Sequence, residues 1–361
     1  VNSISNNASP LVLIDGFEGD INRINPADVA SITILKDASA EAVYGARASY
    51  GVILVTTTKG NKNRASISYS GQTSWSAPTT STNFETRGYY SAAINDLFFS
   101  NYAGTPYTNY NDDDYYQLWI RRDDKTENPE RPWVTVQNRD GRDSYVYYGN
   151  TDWYNYLFNS SRPMQSHNIS INGSSDKIDY SLSGSYFNQD GIFRQNTDNV
   201  KQYNLRSKVN FKVKKWLDIN TNISYFNSAY AYPGAGGVES TFNSSVIHGL
   251  ASIVPVNPDG TYVYQTTISN YAVMDGYAAM LSQGLHSNLD KVSEFTPTIE
   301  AVIRPAKGLD IRSSYRFTHY NYQTMNRSVN IPYSKYPGEV LSITSGIGNN
   351  RLYEIQTNHQ Y

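Results

Sequence analysis

From about residue 64 onward, apolar and polar residues alternate with a period of two. Tyr203, Leu205, Val209, Phe211 and Val213 share one side of a segment whose other side is Asn204, Arg206, Lys208, Asn210 and Lys212. The next segment repeats the pattern, with Leu217, Ile219, Ile223 and Tyr225 opposing Asp218, Asn220, Asn222 and Ser224. This period puts successive side chains on opposite faces of an extended strand. Further strands are expected at about 65–75, 166–173, 177–187, 294–304, 309–320 and 351–361. That makes roughly eight, each about ten residues long, the length with which a tilted strand crosses a bilayer.

The connections separate a membrane barrel from a soluble sandwich. They are short at 173–176, 214–215 and 305–308, and long at about 76–165, 188–200, 227–293 and 321–350. Tight turns on one side and large loops on the other mark an outer-membrane β-barrel, whereas a sandwich shows turn signals every 8 to 12 residues or so. In a barrel the apolar side of each strand meets lipid and the polar side a wet interior, because every backbone group is paired within a closed sheet. A barrel of only eight strands is filled by its own side chains. A larger barrel is therefore expected, of which this chain, ending at Tyr361 inside an alternating stretch, supplies a part.

The N-terminal block follows other rules. Leu11 to Ile14 reads as a short buried strand closed by the turn Asp15-Gly16, Pro26 as the start of a helical turn, and Ser31 to Leu35 as a strand. Asp37 reads as the N-cap of a helix over Ala38 to Tyr44 that Gly45 ends; Gly51 to Thr58 is a β-branched strand. About fifty residues with few large apolar groups make a poor independent core, so this α/β block is expected to sit inside a container built by the rest. The domain division is then 1–63 for the block and 64–361 for the strands.

Composition narrows the function. The 361 residues are 39% apolar and 17% charged with a net charge of −2, and no basic face gathers, which argues against nucleic acid as a partner. The absence of cysteine excludes disulfide scaffolds, Cys-based zinc sites and thiol nucleophiles. Tyrosine outnumbers phenylalanine 32 to 12, which suits surfaces that are half apolar and half wet. The longest apolar runs, Leu11 to Ile14 and Val52 to Val55, are far too short for a helical membrane span, and the polar, uncharged start from Val1 to Pro10 is no signal peptide. The five histidines are scattered and neither HExxH nor GxSxG occurs, so neither metal hydrolysis nor a serine triad has a foothold and no enzyme is expected. The glycines from Gly45 to Gly51 lack the Gly-Lys-Ser/Thr ending of a phosphate loop.

The block from Pro10 to Gly60 resembles the second half of the plug domain of SusC-like TonB-dependent outer-membrane transporters, the SusC/RagA family. The matching features are Ile14-Asp15-Gly16, Asn25-Pro26, Leu35-Lys36-Asp37-Ala38-Ser39-Ala40, Tyr44-Gly45, Gly51-Val52-Ile53 and Thr57-Thr58-Lys59-Gly60. Thr151-Asp152-Trp153, Met164-Gln165-Ser166-His167-Asn168, Tyr186 to Gly191 and Asn257-Pro258-Asp259-Gly260 extend the likeness along the chain. It departs at Phe17-Glu18-Gly19 and Ala48-Ser49-Tyr50. The resemblance implies a transmembrane antiparallel β-barrel, a portion of a roughly 22-stranded one, with the α/β plug domain in its lumen. It further implies a bacterial outer-membrane location and import of oligosaccharides, or in some branches peptides. A SusD-like surface lipoprotein would act as lid, and energy would pass through TonB to a segment that this sequence does not include. A surface carbohydrate-binding or glycan-degrading β protein, and a receptor that signals without transporting, are the competing readings.

A sugar ligand calls for aromatic faces to stack on and for carboxylates to accept from hydroxyls. Trp75, Tyr115, Tyr116, Trp119 and Trp133, with Asp112, Asp113 and Asp114, are the candidates, all in or beside the first long loop. An interfacial girdle or loop packing would use the same rings. No cofactor is expected, apart from calcium in an extracellular loop at the three adjacent acids, which a solvated turn explains equally. Asp15, Gly16, Asp37, Tyr44, Gly45 and Gly51 form the plug motif, read as turn, cap and backbone constraints. Arg206, Lys208, Lys212 and Lys214 share one strand face, which a wet barrel wall explains as well as an anion path does.

Overall fold

The computed structural model describes residues 10–36, 43–48, 50–59, 65–79, 81–234, 238–343 and 348–360. In the N-terminal block the two apolar runs pair with each other. β1 (Leu11–Ile14) lies parallel to β4 (Val52–Thr57), flanked by the short β2 (Phe17–Glu18) and by β3 (Val29–Leu35) in the order β2-β1-β4-β3. Gly51 has φ +91°, and a Cβ there would stand 2.9 Å from the Leu35 carbonyl, so only glycine lets β4 start beside the end of β3. Small clusters cover the two faces of the sheet: Leu11, Leu13, Ala48 and Val52 with Tyr44 on one, Ile14, Ile24 and Val55 on the other. Asp37 and most of the helix expected after it lie outside the described residues. Val43 and Tyr44 are helical, and Gly45, expected to end that helix, instead leads at φ +70° into a 3-10 turn, Gly45–Ala48.

The alternating segments become a wall. β5 (Ser66–Ser76) is followed, within the first long loop, by helices α1 (Gly88–Ala103) and α2 (Asp112–Arg121), the hairpin β6 (Val134–Arg139) and β7 (Arg142–Tyr147), and helix α3 (Trp153–Leu157). β8 (Arg162–Ser174), β9 (Ile178–Asp190), β10 (Asn199–Lys214) and β11 (Leu217–Tyr232) come next. Helices α4 (Val238–Ile247) and α5 (Tyr277–Gln283) fill the following loop. β12 (Ser287–Ala306), β13 (Leu309–Ser328), the small hairpin of β14 (Ile331–Tyr333) and β15 (Leu341–Ile343), and β16 (Gly348–Gln360) complete the chain. All eight expected strands exist and form one antiparallel meander, β5-β8-β9-β10-β11-β12-β13-β16. The sheet is not closed on itself; β5 and β16 are its two edges.

These strands run to 20 residues, about twice the expected length. Their upper ends, such as 199–202 and 287–293, mix polar and apolar residues on both faces, so alternation vanishes there while the hydrogen-bonded ladder continues. The apolar faces point outward: Leu205 is 58% exposed, Ile299 48% and Ile311 49%. They do not meet across a dry interior, which disposes of the sandwich. Above this belt a row of rings crosses the wall, with His167 to Tyr186 centroids 6.3 Å apart and Tyr186 to Tyr203 5.2 Å apart, as a membrane-interface girdle requires.

The two longest loops share one apolar core, built on Tyr147, Leu157, Phe158, Ile253, Ile268 and Leu281. The Trp153 indole donates to the Leu250 carbonyl at 3.0 Å, the Tyr147 hydroxyl to Asn257 at 2.9 Å and the Tyr145 hydroxyl to Asp259 at 2.7 Å. The family-like residues around Trp153 and Asn257 are therefore staples between loops.

Candidate functional site

Two places combine a cavity with converging polar groups. The first lies between the plug block and the polar face of the wall. Asp15, at φ +51° in the β1–β2 turn beside Gly16, accepts from the Thr57 amide at 3.0 Å and the Thr57 hydroxyl at 2.6 Å. From the wall it accepts from Lys208 Nζ at 3.1 Å and Asn222 Nδ2 at 2.9 Å, and Arg206 stands 3.7 Å away. Arg206 also lies 3.6 Å from Asp28, so one guanidinium serves two plug carboxylates. Higher up, Arg23 pairs with Glu294 and covers the Tyr320 ring at 4.5 Å, while Arg316 lies 5.5 Å over Phe17.

The two carboxylates differ in their proton affinity. Burial works to raise Asp15, but the Lys208 ammonium and the Thr57 hydroxyl and amide outweigh it and hold the group below its ordinary value. Asp28 is pushed up by burial, which its Ser183 hydrogen bond and Arg206 only partly offset. Beside this network a cavity of about 580 Å³ is lined by Asp15, Gly16, Tyr44, Lys59, Glu300 and Arg312, among others. Plug and wall thus meet through charges and water-sized space.

The second place is in the first long loop. Asn111 and Asp114 form a reciprocal capping box at the start of α2, which explains the run of acids: Asp112 to Asp114 are its first turn, where carboxylates oppose the positive helix end. Asp114 is buried, 2.6 Å from Arg139, and accepts from the Tyr148 hydroxyl at 2.6 Å. Tyr115 donates to Asp96 at 2.6 Å. The outer face of the helix carries Asp112, Asp113, Tyr116 (61% exposed) and Trp119 (43%), with the Arg122 guanidinium 3.6 Å over the indole. Past Arg122 opens a cavity of about 730 Å³ lined by Glu85, Arg87, Asp123, Asp124, Lys125 and Asp152, with Phe84 as its apolar wall. Trp133 packs against the loop core, and Trp75 projects from the outward face of the edge strand β5, away from the other candidates. Among the described residues no group of three or more His, Asp or Glu side chains is placed to hold a metal.

Sequence reasoning passed over Asp28, Arg23 and Glu294. The parity of Arg206 and Lys208 pointed to the inner face, but their partners lie far back along the chain and no local pattern names them.

The TonB-dependent Receptor Plug Domain family matches residues 2–52. The TonB-dependent receptor SusC of Bacteroides thetaiotaomicron is 28% identical over 270 residues, which cover 71% of this chain and 22% of SusC. The TonB-dependent receptor P3 of Formosa agariphila is 23% identical over 361 residues, covering 98% of this chain and 30% of P3. Among solved structures, the RagAB peptide importer in its closed-closed state superposes with a TM-score of 0.64 at 23% identity, covering 91% of this chain and 36% of that one. The chain therefore spans 22% of SusC and 30% of P3, and the fold it shares with RagAB is that of a plugged outer-membrane barrel. With a plug block seated on the polar face of a lipid-facing meander, the chain is similar in sequence and fold to the SusC-like TonB-dependent receptors of the outer membrane.

Proposed function

We propose that this chain forms plug and wall of an importer that brings oligosaccharides across the outer membrane, working with a SusD-like lipoprotein and energised through TonB. The supporting observation is the way the plug is held. Asp15, Lys208, Arg206 and Asn222 fix it by ion pairs and hydrogen bonds beside an open cavity, not by a dry apolar seam. Charged contacts of this kind gain little net stability over their hydrated state, so they can be exchanged for water without exposing apolar surface. A plug seated in that way can be displaced and reseated, as import past it requires. In this reading further strands pair with the edges β5 and β16 to close the barrel, since unpaired backbone is not tolerated in lipid.

Tyr116 and Trp119, beside Asp112 and Asp113, offer the rings and carboxylates that a sugar uses. A peptide cargo is the second reading. It is favoured by the larger cavity, whose mixture of Arg87, Arg122 and Lys125 with Glu85, Asp123 and Asp124 suits a zwitterion better than a neutral glycan. Growth of a deletion strain on panels of oligosaccharides and peptides, complemented by the intact gene and by its Tyr116→Ala/Trp119→Ala variant, tests both. Growth restored on a glycan by the intact gene but not by the variant supports the first reading; restored growth only on peptides overturns it.

A further inference from the structure

On the inner side of the wall, Arg206, Lys208, Lys212 and Arg304 each stand against a carboxylate. The outer side is different. One residue pair above the ring row, Lys201 pairs with Ala229, Ala229 with Lys291 and Lys291 with Gln323, which puts Lys201 and Lys291 on one outward line, two strands or roughly 10 Å apart. Arg351, opposite Met325, and Arg327, opposite Ser287, continue this outward parity on β16 and β13 one and two steps higher. All four side chains are exposed. None forms a salt bridge with a described residue, whereas the acids of the same height, Asp290, Glu294 and Glu354, have inward parity and are held by Thr324, Arg23 and Gln356. The acid on the outward strip is Asp190, which accepts from Asn199 at 2.6 Å.

Cations at this height have a defined environment. Within two steps below them are Tyr203, Tyr225 and Phe295, at the top of the belt of Leu205, Ile223 and Ile299, so their charges lie where acyl chains give way to headgroups, on the long-loop side. At the opposite end the outward positions Val213, Leu217, Ile303 and Leu309 are apolar, and the cation there, Lys214, is a single one opposite Leu217 past a bulge at the turn. We propose that Lys201, Lys291, Arg327 and Arg351 form a docking strip for the phosphorylated sugar headgroup of an outer-leaflet glycolipid. A spread of cations about 10 Å apart matches a headgroup of several sugar rings better than a single small phosphate, and the contiguous apolar belt receives its acyl chains. The strip rests on the outer-membrane location alone and is independent of what the protein imports.

Full-length protein in neutral detergent is to be titrated with a monophosphorylated, acylated glucosamine disaccharide lipid, with its dephosphorylated counterpart, with phosphatidylglycerol and with inorganic phosphate. Native mass spectrometry and the thermal midpoint are the readouts. The phosphorylated glycolipid is expected to stay bound and raise the midpoint, and K201Q/K291Q/R327Q/R351Q to weaken it at least tenfold. The charge-keeping K201R/K291R/R327K/R351K variant should retain binding. Heat-dependent gel mobility reports whether each variant is folded; should the fourfold glutamine variant not fold, K201Q/K291Q replaces it, with a smaller loss expected. Equal binding by the glutamine variant, or equal effects of the dephosphorylated lipid, of phosphatidylglycerol or of phosphate alone, would each overturn the proposal.

Discussion

Asp15 and Asp28 are plug carboxylates that share one arginine and respond oppositely to pH. Asp15 is held below its unfolded value of about 3.9, so its contribution is complete above that pH and drains away as pH falls through the folded value. Asp28 is raised, so its contribution is complete below about pH 3.9 and is lost as pH rises through its folded value; at neutral pH its charge is carried at a cost. Asp15→Asn is therefore expected to destabilise the seated plug by about 2–3 kcal/mol at pH 7, with the deficit shrinking below about pH 4. Asp28→Asn should be neutral or slightly stabilising at pH 7. Hydrogen exchange at the Thr57 amide, followed across pH in both variants, distinguishes them; equal protection in wild type and Asp15→Asn would contradict the assignment. A steric case is Gly191, where a Cβ would lie 1.6 Å from Asp198 Oδ1. Gly191→Ala must displace that carboxylate and should cost about 1–3 kcal/mol in denaturant titration.

At the scale of elements, the strands divide lipid from lumen by parity alone. Val209→Arg places a cation in the middle of the belt, level with Ile299, and should cost about 2–4 kcal/mol in vesicle folding titrations, whereas Tyr203→Arg, at the ring row, should cost about 0–1 kcal/mol. Equal costs would mean that the belt is misplaced. That parity was legible in the sequence because period two is a local property: Leu205 and Arg206 declare their faces without reference to anything else. Strand ends were less legible, since beyond the lipid both faces are wet and Asn199 to Gln202 carry no alternation although they are still paired. The acids of α2 were misleading for a related reason. Asp112 to Asp114 look like a cation site until Asn111 is seen to close a capping box with Asp114, and that reciprocity depends on geometry which a run of acids does not reveal.

For the whole molecule, three bodies hold together by different means: the plug through charges, the wall through its ladder, and the loops through their own aromatic core. Trp153→Ala removes a buried ring and its bond to Leu250, and should loosen the loop body by about 3–5 kcal/mol while the wall keeps its heat-dependent gel mobility. Loss of both together, seen as one transition by tryptophan fluorescence and by gel mobility, would show that the bodies are not independent. The container relation of plug and wall was legible from the contrast between a small α/β block and a long alternating run. Which residues meet across it was not, because Asp15 and Lys208 are 193 positions apart.

The shared core of the two longest loops has a practical corollary. Because Trp153 is fastened to Leu250, and Tyr145 and Tyr147 to Asp259 and Asn257, neither loop owns a complete interior. Anyone grafting the outer surface of this protein onto another barrel would have to move the segments after β5 and β11 as a matched set, since one transplanted without the other would arrive with half its aromatic rings bare to water.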